Sequence, residues 1–286
     1  MSISSSGRSP AGVAPPPEAA GVCATPVLPD MGRSYDAYFA SGLYLSRYPM
    51  PNRRTLRLLR QTLPTGGRLL DYGAGEGRYC FALARDRGAE VVAADISAVA
   101  RDHLAGAARG LGLADRVHVC DPGDATYRRQ VGALGGFNVV LLGFGVLGHI
   151  AGHAARIALL SALRASLAPG GRLVLGLPNA ARRFRAVQAA CAPLIARGEL
   201  EPGDICYERQ TGGSAIALYY HLYRRDEIRR DLGEAGFTVE RLTVESMLPE
   251  SAVTHSALLG RLDDLACGLV PVDWGYGYLV MARPAP

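Results

Sequence analysis

The stretch LLDYGAGEGRY, residues 69–79, decides the fold. It begins inside a short apolar run, RLLDY at residues 68–72, continues through three glycines at alternate positions, and enters a helical segment. Glycine lets the backbone turn tightly and approach a ligand with no Cβ atom in the way. The helix that follows presents unpaired N–H groups and the positive end of its dipole to that ligand. The stretch therefore predicts a ligand-binding loop between a strand and a helix.

The spacing of the glycines and of two carboxylates indicates the kind of ligand. A dinucleotide-binding fingerprint has its third glycine three positions after the second, whereas Gly77 follows Gly75 by two. Asp71 lies two residues before Gly73, where a carboxylate suits a cationic group and contributes nothing to binding a pyrophosphate. Asp95 ends the next apolar run, where it can accept both hydroxyls of a ribose or cap the following helix. Together with the glycine loop, its position favours the ribose role.

Outward from this loop, short apolar runs alternate with helical segments. This alternation is typical of βαβ units, and continuous apolar strands indicate a parallel sheet that is covered on both faces. We therefore expect an α/β fold with a doubly wound parallel sheet. The β-type runs lie at residues 68–72, 90–96, 116–120, 137–143, 172–178, 237–246 and 276–283, and the helices at 53–63, 78–87, 98–109, 153–167, 226–235 and 257–267.

Three further segments complete the predicted domain organisation. Residues 1–33 are rich in Ser, Gly, Pro and Ala, which predicts a disordered tail before a single domain over residues 34–286. Within that domain, residues 34–63 form an aromatic N-terminal segment, either a helix docked on the body or a lid over a ligand. Residues 180–222 break the alternation and are expected to form a small cap insertion over one end of the sheet.

The composition excludes several classes of chemistry. All 31 basic residues are arginine, so Schiff-base chemistry, pyridoxal phosphate anchoring and a Walker A loop are excluded. The net charge of +5 is too small to predict a polyanionic partner. The 6 cysteines form no CxxC pair and have no histidine at ligand spacing, which favours free thiols and predicts no metal site.

The ends of the chain and its longest apolar stretch predict a cytoplasmic protein with no membrane partner. The N-terminus lacks the basic start and apolar run of a secretory signal. The longest apolar stretch, residues 137–150, is interrupted by glycines and is shorter than the roughly 18 residues that a spanning helix needs.

Five segments, in order, resemble the motifs of the class I S-adenosylmethionine-dependent methyltransferases. They are LLDYGAGEGRY, VVAADIS, VCDPGDA, FNVVLLGFGVLGHI and LAPGGRLVLGLPN, which together span roughly residues 67–178. The resemblance implies a Rossmann-like, mostly parallel, seven-stranded sheet whose seventh strand lies antiparallel between the fifth and the sixth. It also implies S-adenosylmethionine as the cofactor and methyl transfer as the reaction.

The same resemblance assigns parts of the cofactor to particular residues. Asp71, Gly73 and Gly75 would hold the methionine part, and Asp95 would hold the ribose. Further cofactor contacts are expected from four neighbouring positions: Ala74, Gly77, Gly143 and Tyr35.

The adenine contacts are expected after the second and third strands. Ile96 would lie against one face of the ring. Either Asp121, which is closer to the strand end, or Asp124, in the string Gly-Asp-Ala, would meet the adenine amine. The sequence leaves both assignments open.

The methyl acceptor is expected outside the carboxyl ends of the strands, between residues 143–150, the aromatic segment and the insertion. A hydroxyl or amine acceptor on a small molecule would be helped by a base. The candidates for that base are His149, His153, His221 and Glu208. His149 ranks first because it follows the fourth strand and matches a histidine in the family string GVLxHI.

Two other functions remain open at this point. Five pairs of adjacent arginines could contact phosphates, as in a tRNA-modifying methyltransferase, although solvated helix faces also explain them. The chain could instead be a non-catalytic subunit that binds S-adenosylmethionine and supports a partner.

Overall fold

The computed structural model describes residues 21–22, 28–211 and 214–286, which form a large sheet, a small sheet and the helices around them. The strands are β1 (Gly21–Val22), β2 (Arg68–Tyr72), β3 (Glu90–Ala94), β4 (Val117–Cys120), β5 (Phe137–Leu142), β6 (Leu167–Pro178), β7 (Asp204–Thr211), β8 (Ser214–His221), β9 (Phe237–Ser246) and β10 (Gly277–Pro284). The helices are α1 (Met31–Ala40), α2 (Leu43–Arg47), α3 (Arg53–Thr62), α4 (Cys80–Arg87), α5 (Ala98–Gly110), α6 (Ala125–Leu134), α7 (His153–Ala165), α8 (Arg185–Ala196), α9 (Arg225–Glu234), α10 (Glu250–Val253) and α11 (Ala257–Ala266). Short 3₁₀ turns occupy Val146–His149 and Val272–Trp274.

The large sheet has the order β4-β3-β2-β5-β6-β10-β9. Strands β2 to β6 pair in parallel, and β10 is antiparallel to both of its neighbours. This confirms the predicted seven-stranded, mostly parallel sheet with its last strand inserted before the sixth. The chain reverses its strand order between β2 and β5, which is where ligands bind in open α/β sheets.

Both faces of this sheet are buried, as the apolar strands predict. Leu70 and Val140 pack into one cluster with helices α7 and α9, and Leu69 and Val139 pack into the other with α3, α4 and α5. Fully burying one such side chain contributes about 1.5–3 kcal/mol. The rigid core therefore fixes the positions of the loops at the carboxyl edge of the strands.

The cap insertion is built around a hairpin. Strands β7 and β8 pair antiparallel, and β1 adds a third strand at the edge of β7. The sequence predicted an insertion at residues 180–222 without specifying this pairing of strands. The segment β1, on residues 21–22, and the start of α1 at Met31 both lie inside the predicted tail, so that prediction is wrong for these residues. The rest of the tail, residues 1–20 and 23–27, lies outside the described residues.

The aromatic segment folds as helices α1 and α2 against the carboxyl edge of the large sheet. Asp30 caps α1 by accepting hydrogen bonds from the N–H groups of Gly32 and Arg33. Further along α1, Asp36 accepts a hydrogen bond from Ser97 Oγ at 2.7 Å, which ties the helix to the loop that follows β3. The sequence left a docked helix and a lid over a ligand as alternatives for this segment. Helix α1 is docked on the body and also covers the loop after β3, so it fits both descriptions.

Two elements differ from their predictions for local reasons. Helix α6 was not predicted, and none of its residues is fully buried, although Tyr127, Val131 and Leu134 pack partly buried against the core at helical spacing. Strand β6 begins at Leu167 rather than residue 172, because Leu167 pairs with Phe137 before a shift in register.

Five cysteines of the described chain are free and buried, as expected, and Cys23 lies outside the described residues. No helix in the described ranges is long and apolar enough to cross a membrane.

Candidate functional site

The glycine loop between β2 and α4 is held in a conformation that requires glycine. The N–H groups of Gly73 and Ala74 both donate to the carbonyl oxygen of Ala94, at 2.7 and 3.0 Å, which ties the loop to the end of β3. Gly73 and Gly75 have φ values of 78° and 55°, in the left-handed region that side chains disfavour. A Cβ atom at Gly73 would overlap the side chain of Val146. The loop therefore presents bare backbone to the space beyond it.

Asp95 lies at the end of β3 and connects this loop to the next one. Its carboxylate accepts hydrogen bonds from Gly75 N at 2.8 Å and from Ser97 N at 2.9 Å, and the residue is 7% exposed. Burial raises the pKa of Asp95, and the two N–H donors oppose that shift. The cap of α5 is Ser97, whose side chain accepts a hydrogen bond from Ala100 N, whereas Asp95 braces the backbone and lines the cavity described next.

A cavity lies between the glycine loop and helices α1 and α2. Five of the predicted cofactor contacts line it: Tyr35, Gly73, Gly75, Asp95 and Ile96. Ile96 is 45% exposed, so it presents an apolar face that suits a flat ring. Aromatic side chains from the N-terminal segment close the cavity on the opposite side.

Asp71 lies behind the glycine loop and is 2% exposed. Its Oδ2 atom has no hydrogen-bond partner among the described residues. Burial, and next the charge of Asp95, raise the pKa of Asp71 to about 7. A buried carboxylate oxygen without a partner and a bare glycine cradle fit the ammonium end of S-adenosylmethionine, while Asp95 fits its ribose.

Six other predicted cofactor contacts do not line the cavity: Asp71, Ala74, Gly77, Asp121, Asp124 and Gly143. Gly77 donates its N–H to the carbonyl of Ala74 at 3.0 Å, and a Cβ atom there would overlap the ring of Phe81. At Gly143, a Cβ atom would come within 3.2 Å of Tyr79. Gly77 and Gly143 therefore shape the loops around the cavity.

Of the two candidates for the adenine amine, the geometry favours Asp121. Neither carboxylate lines the cavity, and Asp124 is exposed and caps helix α6 by accepting a hydrogen bond from Thr126 N at 3.0 Å. Asp121 pairs with Arg101 at 3.0 Å, and Arg101 also donates to the backbone carbonyl of Asp95 at 2.7 Å. This pairing holds Asp121 beside the predicted ribose site.

A second cavity adjoins the first and shares part of its wall. The shared side chains are Tyr35, Tyr44, Phe144 and His149. The rest of the second cavity comes from the cap insertion, β9 and the segments after it, including Arg183, Arg209, Tyr220, Glu245 and Tyr276. It lies in the place where the sequence predicted the acceptor pocket.

His149 stands in the wall between the two cavities. Its Nδ1 atom lies 2.8 Å from the carbonyl oxygen of Tyr219, which can only accept, so Nδ1 carries the proton. The free lone pair is then on Nε2, which accepts a hydrogen bond from the hydroxyl of Tyr35 at 2.7 Å. Burial lowers the pKa of His149 to about 4, although the Tyr219 carbonyl opposes that shift. His149 is therefore neutral near pH 7 and presents a basic nitrogen at the junction.

The other predicted bases lie away from this junction. His153, at the start of α7, lies 3.4 Å from carboxylate oxygens of both Asp231 and Glu234. Glu208 lies on β7 but lines neither cavity. These two predictions are corrected, because the side chains do not reach the acceptor space.

His221 has a structural role. Its ring nitrogens lie 2.7 Å from Asp204 and 2.9 Å from Glu227. Burial would lower the pKa of His221, but the two hydrogen bonds raise it. Ligand atoms of Glu201, Asp204 and His221 lie within 4.8 Å of one another, yet both nitrogens of the imidazole are already bonded. The group therefore joins the cap to α9 and does not act as the base.

Sequence reasoning missed the polar residues of the second cavity. Arg183 belongs to an adjacent pair that was read as part of a solvated face, whereas its side chain enters the cavity. Arg209 and Glu245 lie on strands that approach each other only in the folded chain. The one local sign that Arg209 or Glu245 lies in a cavity was the occurrence of a charged residue within a strand of alternating polarity.

The sequence matches the model of a family described as a methyltransferase domain over residues 44–242, more than half of the chain. No curated protein matches the sequence. Among solved structures, the chain is similar to the CcbJ methyltransferase from Streptomyces caelestis, with 18% identity, a TM-score of 0.55, and 83% of this chain and 91% of that chain covered. It is also similar to the 1,6-didemethyltoxoflavin-N1-methyltransferase from Burkholderia thailandensis, with 17% identity, a TM-score of 0.53, and 93% and 95% covered.

A third similar structure is the glycopeptide N-methyltransferase MtfA complexed with S-adenosyl-L-methionine, with 19% identity, a TM-score of 0.50, and 83% of this chain and 95% of that chain covered. At these identities the structural neighbours show the fold, and the match to the family model shows the family. The chain therefore belongs to the methyltransferase-domain family and is a class I S-adenosylmethionine-dependent methyltransferase.

Proposed function

We propose that this enzyme methylates a nitrogen or oxygen atom of a small molecule bound in the second cavity, with His149 as the base. The observation that carries the proposal is the hydrogen-bonded pair of Tyr35 and His149 in the wall that both cavities share. A nucleophile held in the second cavity would face the cofactor across this wall.

The chain's own residues bind and orient the two reactants. When bound, S-adenosylmethionine supplies an electrophilic methyl group on its sulfonium sulfur. Asp71 would hold the ammonium group, Asp95 the ribose and Ile96 the adenine, with Asp121 near the adenine amine. Rings of α1 and α2 cover both cavities and exclude water. Alignment and exclusion of water contribute most to a transfer of this kind.

His149 would take the proton that the acceptor loses. An amine or hydroxyl becomes acidic as it acquires the methyl group, so even a weak neutral base can accept its proton. The proton would move through Tyr35, whose phenol oxygen accepts the acceptor's proton while its own O–H proton passes to the Nε2 lone pair that it already bonds. Because the Tyr219 carbonyl fixes the other nitrogen as a donor, the imidazole is already in the required tautomer.

The arginine pairs do not favour an RNA acceptor. Arg54 pairs with Asp264 at 3.3 Å, and Arg225 pairs with Asp273 at 3.3 Å. Their charges are locally compensated, and Arg183 is directed into the second cavity. A non-catalytic subunit would have no use for a neutral imidazole at the junction of two cavities, so the site supports a catalytic role.

Incubating the enzyme with methyl-labelled S-adenosylmethionine and a cell extract tests the acceptor class. We expect the label in the small-molecule fraction, with no incorporation when excess S-adenosylhomocysteine is added. Label in the RNA fraction would support a tRNA-modifying enzyme. An absence of incorporation into every fraction would contradict catalysis and support the non-catalytic alternative.

Cofactor binding should release protons near neutral pH because of Asp71. With a pKa of about 7, this carboxyl is partly protonated in the free protein, and a nearby ammonium group would favour its ionised form. The affinity for S-adenosylhomocysteine should then fall as the pH drops from about 8 to 6, by up to about tenfold per pH unit. Calorimetry in buffers of different ionisation enthalpy measures the proton release. The Asp71→Asn variant should release none, and equal release from both proteins would contradict the assignment.

A further inference from the structure

We propose that the acceptor carries a carboxylate, and that Arg183 and Arg209 bind it among the tyrosine rings of the second cavity. The inference rests on the proposed function, because it names the substrate class of that same site. It concerns residues that the family motifs do not include.

The two guanidinium groups lie in an aromatic cage. The guanidinium carbon of Arg183 is 4.7 Å from the ring centre of Tyr276 and 5.4 Å from that of Tyr220. The corresponding carbon of Arg209 is 5.4 Å from the ring centres of Tyr38 and Tyr207. Cation–π contacts of this kind hold a guanidinium in place, while Nη1 of Arg183 also donates to the Tyr220 hydroxyl at 3.5 Å and Arg209 bonds the Tyr207 hydroxyl.

Neither arginine has an anionic partner in the part of the chain that the structure describes. No carboxylate oxygen of that part lies within 4.0 Å of either guanidinium, and the Nε atom of each is buried with no hydrogen bond. Arg156 gives the contrast, since it is 1% exposed and bonds Glu201 at 2.8 Å. Because buried N–H donors without acceptors are costly, two such arginines directed into one cavity indicate a negatively charged ligand.

The direction of the pKa shift of Tyr48 indicates the sign of the charge in this cavity. Burial alone would raise the pKa of Tyr48, yet Arg209, Arg47 and Arg183 together lower it. The three guanidinium groups therefore favour negative charge at a position that lines the cavity. An acceptor anion placed there would experience the same attraction.

The two carboxyl groups in the cavity do not cancel this charge. Glu245 accepts a hydrogen bond from Thr55 Oγ1 at 2.7 Å, and Glu250 accepts one from Asn52 Nδ2 at 3.1 Å. Burial, and next the charge of Glu250, raise the pKa of Glu245 to about 8. Burial thus favours the neutral form of these carboxyl groups, which leaves the arginine charges in excess.

The chemistry of the lining favours a carboxylate on an aromatic acceptor. A guanidinium fork and a carboxylate are both planar and form two parallel hydrogen bonds, and flat aromatic walls match a conjugated ring. A phosphate carries more charge and bulk in a space that rings enclose. We therefore assign a carboxylate to the acceptor. Tighter binding of a phosphate would contradict this assignment.

Binding of matched acids and amides to the full chain tests the proposal. The probes are 4-hydroxybenzoate, 4-aminobenzoate and indole-3-acetate, each with its carboxamide, and phenyl phosphate. Calorimetry is carried out with and without saturating S-adenosylhomocysteine. At least one acid should bind about tenfold more tightly than its amide, which corresponds to about 1.4 kcal/mol.

Arginine variants identify the side chains responsible. Arg183→Gln and Arg209→Gln should each remove the preference for the acid, whereas Arg183→Lys should retain part of it. Arg182→Gln is the matched control, because Arg182 is the exposed neighbour of Arg183 and should keep the full preference. If a variant fails to fold, the comparison of acid and amide on the unaltered protein still decides the matter.

Three results would overturn the proposal. They are equal or absent binding of acids and amides, tighter binding of phenyl phosphate than of every acid, and an unchanged preference in both Gln variants of the cavity arginines. Failure of S-adenosylhomocysteine to bind would count against the cofactor site alone, because the acid preference is also measured without it.

Discussion

Replacing His149 with Gln should lower the turnover number for methyl transfer by about 10²- to 10⁴-fold, the range typical of losing a general base. Gln keeps much of the size of the imidazole but cannot accept a proton at neutral pH. Initial rates at saturating acceptor and cofactor measure the effect, and calorimetry with S-adenosylhomocysteine should show little change in affinity. The acceptor identified from the labelled extract is the substrate for these assays.

The pH dependence adds a second readout for His149. Since its pKa is lowered to about 4, the imidazole stays neutral above roughly pH 5, and turnover should not fall between pH 6 and 8 because of this residue. Protonation removes the Nε2 lone pair only as the pH approaches 4. The control is His153→Gln, which alters a partly exposed histidine on α7 and should keep full turnover. Full activity in the His149 variant would exclude it as the base.

The Asp95→Ala variant should bind S-adenosylhomocysteine at least about 100-fold more weakly, which is about 2.7 kcal/mol. Two hydrogen bonds from the ribose to a charged acceptor would be lost, each contributing about 1.5–3 kcal/mol. The same change removes the acceptor of the Gly75 N–H, so the glycine loop also loses a brace. Calorimetry measures the affinity directly.

Asp124→Ala is the matched control for this prediction. Asp124 is an exposed aspartate at the start of α6, so its loss should lower stability slightly, as a missing helix cap. The affinity for S-adenosylhomocysteine should be unchanged. If Asp95→Ala also bound the cofactor normally, the ribose assignment would be wrong.

The sheet was predictable because local pattern and tertiary environment agree along its strands. The apolar run at residues 68–72 becomes β2 with the predicted ends, and residues 237–246 become β9 in the same way. Helix α6 escaped prediction because it is short and its core-facing residues, Tyr127, Val131 and Leu134, are only partly buried. The order of the strands required the family resemblance, since periodicity carries no information about which strands are neighbours.

The cofactor site was more predictable than the acceptor site for a related reason. The cofactor site depends on short loops whose backbone geometry requires particular residues at fixed spacings, such as Gly73, Gly75 and Asp95. Such spacings can be recognised in the sequence. Arg183 and Glu245 come from separate elements that meet only in the folded chain. Their types alone are typical of solvent-exposed positions, so nothing in the linear sequence distinguished them from surface charges.

Helices α1 and α2 contribute side chains to both cavities, and this has a consequence for the catalytic cycle. Tyr35 and Tyr44 line both spaces, so a displacement of α1 and α2 would open the two together. Moving α1 away from the body breaks the bond between Asp36 and Ser97 beside the predicted ribose contact. The methylated product and the spent cofactor should therefore depart during the same opening event, and the frequency of that event sets an upper bound on the number of cycles per second.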